Sequence, residues 1–416
     1  MTDTQTKPIL AELIHKIISL RENGTQITLL AVCPNSDAVL EAAVKIAGEN
    51  QMPMLFPATL NQVDRDGGYT SWTAAVFVER MKALAEKYHC DSRLFPCLDH
   101  GGPWLKDMHV INGLDLDQSM SEVKLSLSAC LDAGYALLHI DPTVDRTVPA
   151  GNPPDIDLVV ARTVELIVHS ESERTRLGLP PVAYEVGTEE VHGGLADLSN
   201  FDRFLSGLKN GLEGKGLGNV WPCFIVGKVG TDLHTTTFDG ETARVLFERV
   251  ASYGSLIKGH YSDWVANPAD YPVSGMGGAN FGPEFTSVEL ELLITLCEKE
   301  AELLSEKSDL DPSNFRETLS RTVVDSGRWK KWLFEKEAGL PFEELSAERQ
   351  DWMVKTGARY IWTVPAVLES RKLLYNNLKS VYPDPNSYVV QGIANSIQRY
   401  VDAFNMKDSN KLLELN

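Results

Sequence analysis

The chain alternates short apolar runs with longer segments in which apolar residues recur every three or four positions. Short apolar runs bounded by turn residues predict buried strands, and the longer periodic segments predict amphipathic helices. Eight runs of the first kind follow one another along the chain. We predict strands at Gln26–Cys33, Met52–Pro57, the run that starts at Leu94, Tyr135–Ile140, Pro181–Val186, Val220–Val226, Leu256–Gly259 and Gly278–Phe281.

A helical segment precedes the first strand, and others follow most of the strands. They are predicted at Ile9–Leu20, Ser36–Ala47, Ser71–Tyr88, Ser119–Ala133, Pro154–Ser170, Asn200–Leu212, Gly240–Ser252 and Phe285–Leu304. Ser36 and Asp37 are suited to cap the second helix, and Gly48 is expected to stop it. Repeated alternation of strand and helix predicts the α/β class and a (β/α)8 TIM barrel. The alternative, an open doubly wound sheet, normally needs fewer strand–helix units.

The pattern changes from Ser305 onward, where charged helical stretches alternate with aromatic residues and no strand is evident. Helices are predicted at Ser313–Thr322, Arg328–Ala338 and Ala347–Thr356. We therefore expect residues 1–304 to form a TIM-barrel catalytic domain and residues 305–416 to form a helical extension packed on it. The length of 416 residues exceeds what one core usually supports, which agrees with this division.

Composition narrows the class of partner. The chain carries 39 basic and 58 acidic residues, for a net charge of −19, and has no basic stripe. We therefore expect neither nucleic acid nor an anionic membrane as a partner. The six cysteines show no CxxC spacing, and the first seven residues lack the apolar segment of a signal peptide. Together with the absence of a long apolar run, these features favour a cytoplasmic protein without disulfides.

Polar side chains gather where the predicted strands end. In a barrel these ends share one face, and barrel enzymes carry their active sites there. Each residue alone has an ordinary explanation as a turn former, a helix cap or a solvated side chain, but their recurrence at successive strand ends favours a site. The residues are Asn61, Gln62, Asp99, His100, Asp141, Glu189, Lys228, Asp232, His234, His260 and Asp263.

Three histidines from separate strand ends, His100, His234 and His260, are candidate ligands of a divalent metal. Zinc favours imidazole ligands and is the expected ion, with Mn²⁺ as the alternative. Asp99, Asp141 and Glu189 would then be catalytic residues for proton transfer, or further ligands. The position of His139, one residue before a strand end, predicts instead a structural role.

The glycine-rich stretch from Ser274 to Gly278 has two interpretations of equal weight. Its backbone N–H groups could bind a substrate phosphate, as loops near the last strands of barrels often do. It could equally be a flexible turn. The lack of GxGxxG and P-loop motifs after the first strand argues against a dinucleotide or nucleoside triphosphate cofactor.

Ordered motifs across most of the chain resemble those of the GatZ/KbaZ family, the non-catalytic subunit of class II tagatose-1,6-bisphosphate aldolase, whose relatives include ketose 4-epimerases. The first is Ala58–Thr70, ATLNQVDRDGGYT, against ATSNQVNQFGGYTG in the family. The others are Cys97–Trp104 against GGDHLGPxxW, His139–Thr143 against HLDAS, Val186–Gly194 against IGTEVPxxGG, Lys228–Leu233 against QPGVEF, Lys258–Val265 against EAHSTDYQ, Ala279–Val288 against KVGPALTFA, and Arg359–Trp362 against RYYW.

The resemblance extends to class II fructose-bisphosphate aldolases, in which an Asp-His pair moves a proton and binds zinc. It implies that Asp99 is an acid/base and His100 a metal ligand, with His260 as the second ligand. The sequence departs from the family pattern at Lys228, Asp232 and Val191, where Gln, Glu and Pro are usual.

The chemistry implied is inversion at C4 of a ketose. In a 2-ketose the C4 proton is not adjacent to the carbonyl, so enolisation cannot invert C4, whereas breaking and re-forming the C3–C4 bond can. We therefore expect a metal-dependent ketose or ketose-phosphate C4-epimerase, of the fructose/tagatose type, that binds through Asn61, Gln62, Lys228, Asp232, Asp263 and Ser274. A homo-oligomer is compatible with this function. The alternative is a non-catalytic subunit that stabilises an aldolase chain. A third function, a sugar-phosphate kinase, has no nucleotide motif to support it.

Overall fold

The computed structural model describes residues 7–149, 155–188, 194–232, 235–306 and 310–415, and its centre is a closed barrel of eight parallel strands. The strands pair in chain order, and β1 closes the barrel by pairing with β8. The predicted fold class is therefore confirmed. The strands are β1 (Leu29–Val32), β2 (Met54–Thr59), β3 (Leu94–Gly101), β4 (Leu137–Ile140), β5 (Ala183–Gly187), β6 (Phe224–Val226), β7 (Leu256–Gly259) and β8 (Met276–Phe281).

Helices surround the barrel and continue beyond it. They are α1 (Ile9–Glu22), α2 (Asp37–Glu49), α3 (Ala74–Lys87), α4 (Asp107–Ile111), α5 (Leu116–Asp132), α6 (Ile156–Leu177), α7 (Leu198–Gly214), α8 (Gly240–Ala251), α9 (Asp270–Ser274), α10 (Pro283–Glu306), α11 (Phe315–Ser326), α12 (Ala347–Gly357), α13 (Pro365–Leu378), α14 (Pro385–Ala403) and α15 (Ser409–Leu412). No helix in the described ranges is both long and apolar enough to cross a membrane.

Local sequence signals explain most of the helix boundaries. Ser36 caps α2 by accepting a hydrogen bond from the backbone N–H of Val39 at 3.1 Å, as the sequence predicts. Gly48, however, lies within α2, which ends only at Glu49. The prediction of a helix over Arg328–Ala338 was also wrong, because that stretch forms two short 3₁₀ helices.

The helices that follow β8 pack onto the barrel through a continuous apolar core that extends from Leu10 to Leu413. A buried ion pair reinforces this packing. Glu289 on α10 is fully buried and accepts hydrogen bonds from Ser36 at 2.6 Å and from Arg371 on α13 at 2.7 Å. The C-terminal helices are thus bound to the barrel by apolar and charged contacts, and the division at residue 304 stays a prediction.

The glycine-rich stretch near β8 lies at the end of the barrel opposite the candidate site. Gly275 ends α9 with a φ of +95°, and Met276 already begins β8. A side chain at Gly277 would collide with Leu256, so this backbone is tightly packed. Ser274 donates its hydroxyl to the carbonyl of Tyr271 at 3.1 Å. The predictions that Ser274 binds substrate and that these glycines bind phosphate therefore do not fit the structure.

Candidate metal centre

Four side chains with metal-binding atoms converge at the carboxyl ends of the strands. Asp99 and His100 end β3, His139 lies on β4, and His260 directly follows β7. Their candidate ligand atoms all lie within 4.8 Å of one another. Asp99, His139 and His260 are buried, whereas His100 is partly open to a cavity.

His100 is held in place by an unusual backbone conformation. Its φ of +52° lies in the left-handed region, which costs a non-glycine residue about 1–2 kcal/mol. The pairing of β3 with β4 is irregular at this point, between Leu98 and Gly101. The Nδ1 atom of His100 lies 2.6 Å from Oδ2 of Asp141, so this carboxylate fixes the orientation of the ring. Strain of this kind is typical of functional sites.

A second carboxylate orients His260 in the same way. Its Nε2 atom lies 2.7 Å from Oε1 of Glu185, a fully buried residue on β5. The other carboxylate oxygen of Glu185 accepts a hydrogen bond from Nζ of Lys258 at 2.7 Å. Carboxylates that hold the outer nitrogen of a histidine are a recurrent feature of metal sites, because they direct the inner nitrogen at the ion.

The inner nitrogens of the two rings face each other. Nε2 of His100 and Nδ1 of His260 are 3.1 Å apart. If each outer nitrogen donates its proton to its carboxylate, two lone pairs meet, and this arrangement is stable only with a proton or a cation between them. Two nitrogens bound tetrahedrally to zinc at ~2.0–2.1 Å would be about 3.3 Å apart. The donor set therefore fits a metal.

The pKa values of the two rings are shifted in opposite directions from the ordinary value of histidine. Burial lowers the pKa of His100, but Asp99 and Asp141 raise it more, to about 9. Burial lowers the pKa of His260 to about 4 against the opposing effects of Asp99 and Glu185. His100 is therefore the ring that carries the shared proton when no cation is bound, and a metal must displace that proton.

Asp99 is the carboxylate nearest to this pair. Its Oδ1 accepts a hydrogen bond from Nδ2 of Asn280 at 3.3 Å and lies 3.4 Å from Nδ1 of His139. Its Oδ2 lies 3.9 Å from Nε2 of His100. Burial raises the pKa of Asp99, but the charges of His100 and His260 lower it well below its usual value. Asp99 is therefore an ionised carboxylate that faces the centre.

His139 belongs to this cluster, whereas the sequence interpretation gave it a structural role. Its ring centre lies 4.9 Å from that of His100 and 5.1 Å from that of His260. However, its Nδ1 accepts the backbone N–H of His100 at 3.1 Å, which occupies that lone pair. This contact favours a positioning role. Strand alternation could have placed His139, because residues i and i+2 share a face and Asp141 points to the site.

The cluster borders a cavity of about 310 Å³, a volume suited to a small ligand. Its lining includes many of the residues singled out from strand ends, together with Asn280 on β8 and two residues from the segment after α12. These lining residues are Asn61, Gln62, Asp99, His100, Asp141, His260, Asp263, Asn280, Arg359 and Tyr360.

Comparison with known proteins gives the family of the chain. The family profile described as D-tagatose-1,6-bisphosphate aldolase subunit GatZ/KbaZ-like matches residues 14–414. The chain belongs to the GatZ/KbaZ-like family. The match covers nearly the whole chain, and it confirms the resemblance drawn from the ordered motifs.

Solved structures show that the fold of this GatZ/KbaZ-like protein recurs. A probable tagatose 6-phosphate kinase from Sinorhizobium meliloti is 20% identical, with a TM-score of 0.75 over 90% of this chain and 100% of that chain. A fructose-bisphosphate aldolase from Campylobacter jejuni is 9% identical, with a TM-score of 0.53 over 96% of each chain. At these identities the likeness concerns the fold.

Several strand-end residues of the GatZ/KbaZ-like protein are used to build the cavity wall. Asn61 donates to the carbonyl of Leu105 and accepts the N–H of Asp107, both at 2.9 Å. Gln62 donates to Oδ1 of Asn35 at 2.8 Å. Both carboxylate oxygens of Asp141 make hydrogen bonds, one with the ring of His100 and one with the hydroxyl of Thr143. These contacts favour a positioning role for Asp141 over the proton transfer expected from the sequence.

Lys228 and Asp232 do not line the described part of the cavity. Lys228 lies just after β6, and its carbonyl accepts the N–H of Ala196 at 3.2 Å. Asp232 accepts the backbone N–H of Thr235 at 2.7 Å. Glu189 and His234 lie outside the described residues, so their predicted roles stay predictions.

Asp263 borders the cavity but faces the start of α10. Its Oδ1 accepts the N–H groups of Gly282 at 2.9 Å and of Glu284 at 2.8 Å. We expect Asp263→Ala to lower the free energy of unfolding by about 1–2 kcal/mol, the usual cost of losing a helix cap. Asp263→Asn retains the acceptor and should lose less, as measured by urea unfolding. Equal losses in both variants would contradict the capping role.

Proposed function

We propose that this protein is a metal-dependent ketose or ketose-phosphate C4-epimerase that breaks and re-forms the C3–C4 bond. One observation carries the proposal. His100 and His260, each oriented by its own carboxylate, face each other at 3.1 Å beside Asp99 and a cavity. The family and the barrel fold it shares with an aldolase support chemistry at a ketose.

His100 and His260 would hold the metal, with Asp99 able to act as a further ligand or as the acid/base. A divalent cation bound there supplies Lewis-acid polarisation of the ketose carbonyl. Zn²⁺ suits two imidazoles best, and Mn²⁺ is the alternative.

Asp99 then transfers the proton that the reaction requires. Its carboxylate removes the proton of the C4 hydroxyl as the C3–C4 bond breaks and C4 becomes an aldehyde carbon. The bonding electrons form a C2–C3 double bond, and the π electrons of the carbonyl move onto the C2 oxygen. The released aldehyde rotates and is attacked on its other face by C3, and Asp99 returns the proton to the new C4 hydroxyl. Glu189 is the predicted partner in this proton transfer.

Asn280 provides a second polar group for the sugar. Its Nδ2 is bonded to Asp99, whereas its Oδ1 is buried and has no hydrogen-bond partner among the residues that the structure describes. A buried carbonyl oxygen without a partner costs free energy, and a sugar hydroxyl can satisfy it. Asn280 therefore links the position of the substrate to that of Asp99.

The direct test removes and restores the metal. We expect the protein, stripped with a chelator, to lose C4 epimerisation of fructose, tagatose or their 6-phosphates, and Zn²⁺ or Mn²⁺ to restore it. Inversion at C4 is measured by NMR, and bound metal by elemental analysis. A protein that binds one metal per chain and converts none of these sugars would contradict the proposal.

The family description favours a second candidate function, a subunit that stabilises an aldolase chain. This function predicts no turnover by the isolated protein and a stable complex with an aldolase catalytic subunit. Co-expression with such a subunit, followed by size-exclusion chromatography, distinguishes the two. An active protein that forms no complex would exclude this second function.

A further inference from the structure

Arg359 is a buried cation that reaches the cavity from outside the barrel. It lies in a short 3₁₀ helix, Ala358–Tyr360, between α12 and α13, and is 8% exposed. Its guanidinium carbon lies 5.0 Å from the ring centre of Trp332 and 4.8 Å from that of Tyr360. Stacking on two aromatic rings holds the guanidinium in one plane.

This guanidinium has no carboxylate partner among the residues that the structure describes. Its Nη1 atom is buried and has no hydrogen-bond acceptor in the described part of the chain. The nearby carboxylate of Asp263 instead accepts hydrogen bonds from the backbone N–H groups of Gly282 and Glu284 at the start of α10. An uncompensated buried charge is costly, so proteins normally pair it or use it to bind a ligand.

Two nearby cations that do not line the cavity are paired with carboxylates. The guanidinium carbon of Arg328 lies 4.2 Å from the ring centre of Tyr360, and Arg328 donates a hydrogen bond to Asp107. Lys106 is bonded to Asp64 at 2.6 Å and to Asp66 at 2.7 Å. Arg359 differs from these two cations because it borders the cavity and, within the described ranges, forms no ion pair with a carboxylate.

We propose that Arg359 binds an anionic group of the substrate, a phosphate or a carboxylate on the part of the sugar remote from the reacting carbonyl. This inference rests on the proposed function and narrows its substrate class to anionic ketoses. The planar fork of a guanidinium matches both anions, since each offers two oxygens in one plane. Arg359 would thus determine specificity, whereas the strand-end residues carry out the chemistry.

The test compares binding and turnover of three sugars: fructose, fructose 6-phosphate and the analogue of fructose with a carboxylate at C6. We expect the protein to prefer one of the two anions over fructose. Arg359→Met should weaken binding of that anion about ten- to hundredfold, the loss typical of hydrogen bonds to a charged group. Binding of fructose should stay unchanged. Titration calorimetry measures binding directly. The preferred sugar shows whether the anionic group of the substrate is a phosphate or a carboxylate.

Two further variants test whether the loss of affinity comes from the guanidinium group of Arg359. Arg359→Lys keeps the charge but loses the fork, so it should recover only part of the affinity. Arg328→Met removes the paired cation on the same aromatic ring and should leave the preference intact. Thermal unfolding checks that each variant is folded.

The outcomes separate this inference from the proposed function. If Arg359→Met epimerises all three sugars as the parent protein does, the anion site is excluded and the epimerase stands. If no sugar is converted but fructose 6-phosphate or the carboxylate binds through Arg359, the anion site stands and the epimerase is excluded.

Discussion

Asp99→Asn is expected to lower kcat for C4 epimerisation by a factor of about 10²–10⁴, the usual contribution of a positioned acid/base. The amide retains the size and hydrogen-bonding geometry of the carboxylate but cannot accept the proton of the C4 hydroxyl. Asn280 would still approach this position, because the amide oxygen can accept its hydrogen bond at the observed 3.3 Å. The measurement is the rate of C4 inversion by NMR with Zn²⁺ or Mn²⁺ present.

Metal content decides how this loss is interpreted. If Asp99→Asn binds the metal normally and is inactive, Asp99 transfers the proton. If it loses the metal, Asp99 is a ligand. Asp263→Asn is the matched control, because it makes the same acid-to-amide change at a cavity residue that faces α10, and it should retain activity. Full activity in Asp99→Asn would contradict the proposed mechanism.

Lys258→Met is expected to lower the free energy of unfolding by about 3–5 kcal/mol, the cost of leaving one partner of a buried ion pair unpaired. Lys258 and Glu185 are each about 1% exposed, and their charged atoms are 2.7 Å apart inside the barrel. Methionine fills a similar volume, so the loss of stability reports the buried charge of Glu185 without its lysine partner rather than a cavity. Denaturant unfolding measures it.

A double variant separates stability from function at this pair. Lys258→Met with Glu185→Leu removes both charges and should recover much of the stability. It also removes the carboxylate that orients His260, so metal affinity should stay about 10–100-fold lower than in the parent protein. If the single variant is as stable as the parent, the ion pair does not form.

The barrel could be predicted because each strand and helix is encoded locally, in runs of apolar residues and their caps. The rule that strand ends share one face also found much of the cavity, including Asp99, His100 and His260. Ser274 was predicted on a different ground, the glycine-rich stretch near the last strand, and this stretch precedes most of β8. The glycines lie at the start of that strand, at the end of the barrel opposite the site.

Other parts of the site depend on contacts that no local pattern encodes. The pair of Glu185 and Lys258 joins residues on two different strands, and neither residue lies at a predicted strand end. Arg359 enters the cavity through the docking of the C-terminal helices, a tertiary contact between distant parts of the chain. Helical periodicity predicts the helices of this segment but cannot predict which residue they present to the barrel.

The position of Arg359 has a consequence for how the protein is made. All eight barrel strands have left the ribosome once Phe281 has emerged, but Arg359, Tyr360 and the helices that hold them come several seconds later, at ~5–20 residues per second. A nascent barrel therefore holds its histidines before it has a complete wall for the sugar. Binding of an anionic sugar is then a late event in biosynthesis and reports that the C-terminal helices have docked.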